Sequence, residues 1–264
     1  MKILVCGHKG FVGSHLCKVL SSDFDVVGTD IEDLDITKEF DIKNFFTDNK
    51  FDVVILTAAN KNVKFLEQNK ETAFEINTKP VEYFLKYCSA KLIFLSSDYV
   101  FDGKMGKYTD IDNPCPTTIY GKTKAEAEKI LQESDKDYVI VRTAAILGKG
   151  TPFFDWLYNE INTNQTVEMY ANSYFSPTCI SFLAETIRDI IWANLNKITL
   201  NVVQEKRLSR YDLALIFKKL LNSSSEIKEI QTEFKDLSLI QSDFVKNLNK
   251  QSLEEFLKRE IENV

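Results

Sequence analysis

Tyr120-Gly121-Lys122-Thr123-Lys124 opens a stretch of helical periodicity just after Pro114 and Pro116. Tyr120 and Lys124 therefore fall four apart on one helix face. A free tyrosine, with a pKa of ~10, is a poor proton carrier at neutral pH. A lysine ammonium ~5 Å away, at an effective dielectric of ~20, favours the phenolate by about 3 kcal/mol, or ~2 pKa units. A phenol tuned that way exchanges protons near neutrality. Upstream, Ser96-Ser97 closes an apolar run, where Ser97 can hold a substrate oxygen as charge develops on it. Alone, Y-x-x-x-K reads equally well as a surface tyrosine beside a solvated lysine. The serine at a strand end and a glycine loop near the N-terminus turn it into a site.

Histidine usage points the same way. The chain has 264 residues and only two histidines, His8 and His15, both near the N-terminus and neither beside a nucleophile motif. Most triad hydrolases and multi-histidine metal sites are thereby set aside, and no metal site is expected. The five cysteines (Cys6, Cys17, Cys88, Cys115, Cys179) are odd in number and contain no C-x-x-C, which fits a reducing compartment. The net charge of −6, with scattered Lys and Arg, argues against a nucleic-acid partner. No apolar run approaches the ~20 residues needed to span a bilayer, and no leader pattern opens the chain. A cytoplasmic protein with no membrane partner is expected.

These side chains need a scaffold. Five short apolar runs, at 2–6, 25–29, 52–56, 91–96 and 138–142, show little internal alternation, as strands of a parallel sheet buried on both faces do. Helical stretches at 11–21, 37–49, 74–88 and 119–133 separate them. Strand and helix in alternation predict an α/β fold, a doubly wound parallel sheet of the Rossmann kind. All nine glycines fall at or before Gly150. Beyond it, helices are predicted at 180–194, 209–222 and 252–261, and strands near 166–170 and 198–203. The expected division is a cofactor-binding core at 1–150, with 179–203 returning to it. A smaller C-terminal substrate lobe would comprise 151–178 and 204–264.

Gly7-His8-Lys9-Gly10-Phe11-Val12-Gly13 follows the first strand and opens the first helix. This G-x-x-G-x-x-G permits a tight turn and a close backbone approach to a pyrophosphate, with helix N–H groups facing it. Lys9, Phe11 and Val12 would share that loop with the three glycines. Asp30 ends the second strand, where a carboxylate accepts from ribose hydroxyls and repels a 2′-phosphate. The expected cofactor is NAD(H) or NADP(H), with NAD(H) slightly favoured. Lys9 pulls the other way.

These residues carry a resemblance. Cys6–Leu16, Asp52–Asn60, Phe94–Asp110, Asn113–Glu128 and Ile140–Gly150 resemble the extended short-chain dehydrogenase/reductases, and within them the dTDP-4-dehydrorhamnose reductase family. Ser96-Ser97-Asp98-Tyr99-Val100-Phe101-Asp102-Gly103 is especially similar to that family's S-T-D-Y-V-F-D-G. The resemblance implies hydride transfer from a reduced nicotinamide to the C4 ketone of a nucleotide-linked 6-deoxysugar. Ser97, Tyr120 and Lys124 would be the catalytic set, Tyr120 protonating the forming alkoxide and Lys124 holding the nicotinamide ribose. It places Ala58, Ala59 and Thr143 beside the cofactor, and Asp98, Tyr99, Ser176 and Thr178 toward the sugar nucleotide. It also allows a homodimer.

Lys64 stands where the family often carries an acid, and Ala145 where an aromatic residue is expected. The usual Arg-Pro pair is missing around 230–238. Two alternatives therefore stay open. One is a sugar-nucleotide epimerase or dehydratase with tightly held NAD, although Asp98-Tyr99 lacks the Asp-Glu pair of a dehydratase. The other is a non-catalytic, cofactor-binding regulatory subunit.

Overall fold

The computed structural model describes residues 1–248 and 251–262. The chain runs β1 (Lys2–Cys6), α1 (Phe11–Leu20), β2 (Asp25–Thr29), α2 (Glu39–Asp48), β3 (Val53–Leu56), α3 (Val63–Gln68), α4 (Lys70–Asn77), α5 (Lys79–Tyr87) and β4 (Lys91–Ser97). A single 3₁₀ turn at Asp98–Val100 follows, then α6 (Ile119–Gln132), β5 (Tyr138–Thr143), β6 (Ile146–Leu147), α7 (Pro152–Asn162), β7 (Val167–Tyr170), β8 (Ser173–Phe175) and β9 (Thr178–Cys179). The chain continues through α8 (Ile180–Trp192), β10 (Ile198–Asn201), β11 (Leu208–Ser209), α9 (Arg210–Leu220), β12 (Ile227–Ile230), β13 (Lys235–Asp236), α10 (Asp243–Leu248) and α11 (Leu253–Glu262). Two compact units result. One comprises 1–101, 113–142 and 187–200, and the other 102–112, 143–186 and 201–264.

The first unit is built on a six-stranded sheet in the order β10-β5-β4-β3-β1-β2. β1 pairs in parallel with both β2 and β3, and β3 in parallel with β4. The chain thus moves outward from β1 to β2, then crosses back to β3. The reversal leaves a crevice at the carboxyl ends of β1 and β3, where open α/β sheets bind ligands. The predicted doubly wound α/β fold is what forms. Every residue of β3 and β5 is buried, as is all of β4 but Lys91. β2, at the edge, keeps Asp25 exposed. Leu4, Val54, Leu92 and Ile140 meet Ile42, Phe84 and Leu131 from α2, α5 and α6 in one apolar layer. At ~25 cal/mol per Å² of apolar area removed from water, this layer is the main stabilising term.

The second unit holds smaller pairings. β8 takes β11 antiparallel on one side and β13 parallel on the other, and β7 pairs in parallel with β12. The segment 102–112 belongs here because Tyr108 N donates to Ser238 O at 3.0 Å and Ile240 N donates to Tyr108 O at 2.8 Å. The predicted strands near 166–170 and 198–203 form as β7 and β10. Only β10 joins the large sheet. Among the described residues no helix is long and apolar enough to cross a membrane, and no His/Cys/Asp/Glu cluster could hold a metal ion. All five cysteines are unpaired.

Candidate active site

At the end of β1 the chain turns sharply through Gly7, whose φ of 90° is a left-handed conformation that favours glycine. Gly7 N and His8 N both donate to Thr29 O, at 2.7 and 3.1 Å, fastening the loop to β2. Gly10 is the N-cap of α1 and offers no side-chain oxygen, so the first-turn N–H groups stay available to an anion. A Cβ on Gly13 would lie 2.1 Å from Gly7 O, so the helix packs onto the turn only as glycine. Lys9 N donates to Asp30 Oδ2 at 3.2 Å, while the Lys9 ammonium pairs with Glu32. Asp30 also accepts from Ile31 N at 2.9 Å.

A cavity of about 140 Å³ opens beside this loop. Gly7, Asp30, Ala58 and Ala59 line it, joined by Leu34, Ile36 and Ile76. An apolar wall with two aspartates, Asp30 and Asp35, in the lining suits an adenosine: the wall takes the base and a carboxylate takes ribose hydroxyls. The glycine cradle, the uncapped helix start and this cavity together fit a dinucleotide. Phe11 and Val12, the first residues of α1, lie beside the cradle.

The end of β4 supplies the polar chemistry. Ser97 Oγ donates to Asp98 Oδ1 at 2.9 Å and accepts from Tyr99 N at 3.2 Å. Tyr120 is near enough for Ser97 to act on its phenol, easing the rise that burial causes. Tyr120 lies in the first turn of α6, which Thr118 caps by accepting from Gly121 N at 3.0 Å. Glu67 on α3 accepts from Ile119 N at 2.7 Å, a second cap from a distant segment. The Tyr120 ring meets Tyr99 edge-on, with centroids 5.8 Å apart.

Lys124 lies one turn further along α6, as predicted, yet its partner differs from the expected one. Its ammonium donates to Leu95 O at 2.9 Å and sits 4.6 Å from the centre of the Phe94 ring. Burial pushes its pKa down to about 8, with Glu128 opposing. Tyr120 moves opposite to the expectation: burial, and then the Asp98 carboxylate, raise its pKa well above the usual phenol range. The correction is electrostatic. A buried phenol beside a carboxylate keeps its proton at rest.

The other expected residues lie as follows. Thr143, at the end of β5, is buried, and its hydroxyl has no hydrogen-bond partner among the described residues. Ser176 is buried in the second unit, its hydroxyl donating to Leu239 O at 3.0 Å and accepting from Leu239 N at 3.1 Å. Thr178 is fully buried there, and its hydroxyl has no hydrogen-bond partner among the described residues. Sequence reasoning passed over the supports. Asn77 clamps the loop after β3, accepting from Asn60 N at 2.8 Å and donating to Asn60 O at 2.9 Å. Glu128 was equally silent, although its i+4 spacing from Lys124 was a usable signal.

The crevice, the glycine cradle and the Ser97–Tyr120–Lys124 corner place the chain among the extended short-chain dehydrogenase/reductase oxidoreductases. Residues 1–242 match the sequence model described as the RmlD substrate binding domain, and the chain belongs to that family. The dTDP-4-dehydrorhamnose reductase of Aggregatibacter actinomycetemcomitans is 29% identical over 196 residues, covering 72% of this chain and 67% of the relative. The crystal structure of a dTDP-4-dehydrorhamnose reductase from Clostridium acetobutylicum is similar at a TM-score of 0.88 and 28% identity, covering 100% of this chain and 99% of that one. The Bacillus anthracis dTDP-4-dehydrorhamnose reductase, in complex with NADP, is similar at 0.90 and 25% identity, with the same coverages.

Proposed function

We propose that this protein is an NAD(P)H-dependent reductase of a nucleotide-activated 4-keto-6-deoxysugar, acting as its dTDP-4-dehydrorhamnose reductase relatives are named for. The grouping of a buried Tyr120 with Ser97 and Asp98 at the end of β4, Ser97 bonded to Asp98, carries this reading. A reduced nicotinamide, when bound, supplies the hydride. Ser97, on turning its hydroxyl proton from Asp98 to the ketone oxygen, orients that oxygen and stabilises the negative charge that develops on it. Tyr120, held protonated by burial and by Asp98, donates its proton to that oxygen. Lys124 spends one N–H on Leu95 O and offers the others to a ribose hydroxyl. Gly7, Gly10 and Gly13, with Phe11 and Val12, hold the pyrophosphate, and Ala58 and Ala59 admit the cofactor closely. Thr143 lines the nicotinamide pocket, while Asp98, Tyr99, Ser176 and Thr178 serve the sugar-nucleotide side.

The Asp30 carboxylate supports a modest preference for NADH, because it would repel a 2′-phosphate. Lys9 is the group that would admit NADPH, on leaving Glu32. The NADP-bound Bacillus anthracis relative supports use of the phosphorylated cofactor as well. A panel of nucleotide 4-keto-6-deoxysugars assayed for NADH and NADPH oxidation tests the proposal. Turnover on at least one substrate is expected, with Tyr120→Phe slowing it by at least ~10² and leaving cofactor affinity intact. Product formed without net cofactor oxidation would replace it with an epimerase. A flat response across the panel would leave a cofactor-binding subunit.

A further inference from the structure

We infer that Glu128 is a positioning residue for the Lys124 ammonium, a fixed buried carboxylate one turn further along α6, with Arg142 as its counterweight. Tyr120, Lys124 and Glu128 succeed one another at four-residue intervals along one face of α6. Lys124 is 3% exposed and Glu128 is fully buried. The Glu128 carboxylate takes the Ser96 hydroxyl from β4 and the Arg142 guanidinium from β5. Arg142 Nη2 stands 2.8 Å from Oε2, and Nε donates to both carboxylate oxygens, at 3.1 and 3.2 Å. The guanidinium carbon is 5.1 Å from the centre of the Phe101 ring. A carboxylate held by two fixed side chains, Ser96 and Arg142, cannot swing away from the helix turn that it occupies.

A buried ion pair is weak evidence for stability, since well-packed apolar residues often serve as well. What this one supplies is a fixed negative charge next to a lysine that burial would otherwise discharge. Charged and titratable groups on the elements packed there are Tyr120 and Glu128 on α6, Asp98 and Tyr99 after β4, Arg142 on β5 and Glu67 on α3. β4 contributes the Leu95 carbonyl and the Phe94 ring to Lys124, and the Ser96 hydroxyl to Glu128. Glu128 is the one charge opposing the desolvation of Lys124. Arg142 tempers the carboxylate, so the lysine is held near its titration point instead of being locked on one side of it.

The inference rests on the proposed reductase only for what Lys124 is used for, and its test needs no substrate. The full-length protein is labelled with ¹³Cε-lysine, and the Lys124 resonance, assigned by its loss in Lys124→Met, is titrated by NMR. Glu128→Gln should weaken Lys124's proton affinity by about tenfold or more, one pKa unit. Arg142→Gln should strengthen it, because the carboxylate is then left uncompensated. Both variants break the same buried pair, so a purely structural role predicts no shift, or shifts of one sign. Either result overturns the inference. Glu128→Asp keeps the charge and should titrate close to wild type, so it carries the test if Glu128→Gln does not fold. A protein inactive on every keto-sugar that still gives opposite shifts would sink the reductase and keep the positioning role.

Discussion

Cys6 lies fully buried at the end of β1, and burial pushes its thiol from 9.0 up to about 12. In the unfolded chain the thiol ionises near 9, while the fold keeps its proton. The stability it contributes is therefore complete below pH 9 and is lost as pH rises toward 12. The full shift corresponds to about 4 kcal/mol at most. Lys124 has the opposite sign: it stays charged to 10.5 when unfolded but only to about 8 when folded. Its burial penalty is relieved as pH climbs through that window. Guanidinium unfolding at a series of alkaline pH values should show stability falling above pH 9, because the buried Cys88, Cys179 and Tyr120, also raised, add to Cys6 and outweigh Lys124. Cys6→Ala should flatten that fall and Lys124→Met should steepen it. An unchanged slope in both variants would remove these residues from the alkaline titration.

Two glycines divide the work of α1 and α6. A Cβ on Gly121 would sit 2.0 Å from Tyr99 O, and one on Gly13 would sit 2.1 Å from Gly7 O. Neither neighbour is a flexible side-chain end that can yield; both are backbone. Gly121→Ala should push the start of α6 off the 3₁₀ turn and cost about 1–3 kcal/mol of stability. Because Tyr120 rides on that turn, kcat should fall at least ~10-fold while the Kd for NADH, measured by fluorescence quenching, stays near wild type. Gly13→Ala should raise that Kd, since it spoils the phosphate cradle. If both variants lower kcat and cofactor affinity together, α1 and α6 are not separable parts of the site. The helices themselves were legible. α6 is predicted at 119–133 and runs Ile119–Gln132, because its caps and periodicity are local. The stretch predicted as one helix at 74–88 is instead α4 and α5, broken at Thr78. Thr78 donates its hydroxyl to Thr123 O at 2.9 Å, a contact with a helix 45 residues away.

At the scale of the whole chain, the cavity beside the glycine loop predicts stabilisation by cofactor. NADH or NADPH at 100 times its Kd should add about 2.7 kcal/mol to unfolding, seen as a Tm shift of a few degrees. Asp30→Ala should move the ratio of the two affinities toward NADPH. An unmoved ratio would make Asp30 a support for the Lys9 amide rather than a selector. The sequence by itself determined the doubly wound core, the glycine turn and the Tyr120–Lys124 spacing, because each is written within a short run of residues. Tertiary structure alone decided what those groups touch. Lys124 meets Leu95 O across 29 residues, Glu128 finds Arg142 across 14 and Ser96 across 32, and Asn77 grips Asn60 across 17. A proton's preference depends on burial and on the sign of the nearest charge. Both are set by the packing of helix against sheet, and spacing along one helix cannot reveal them.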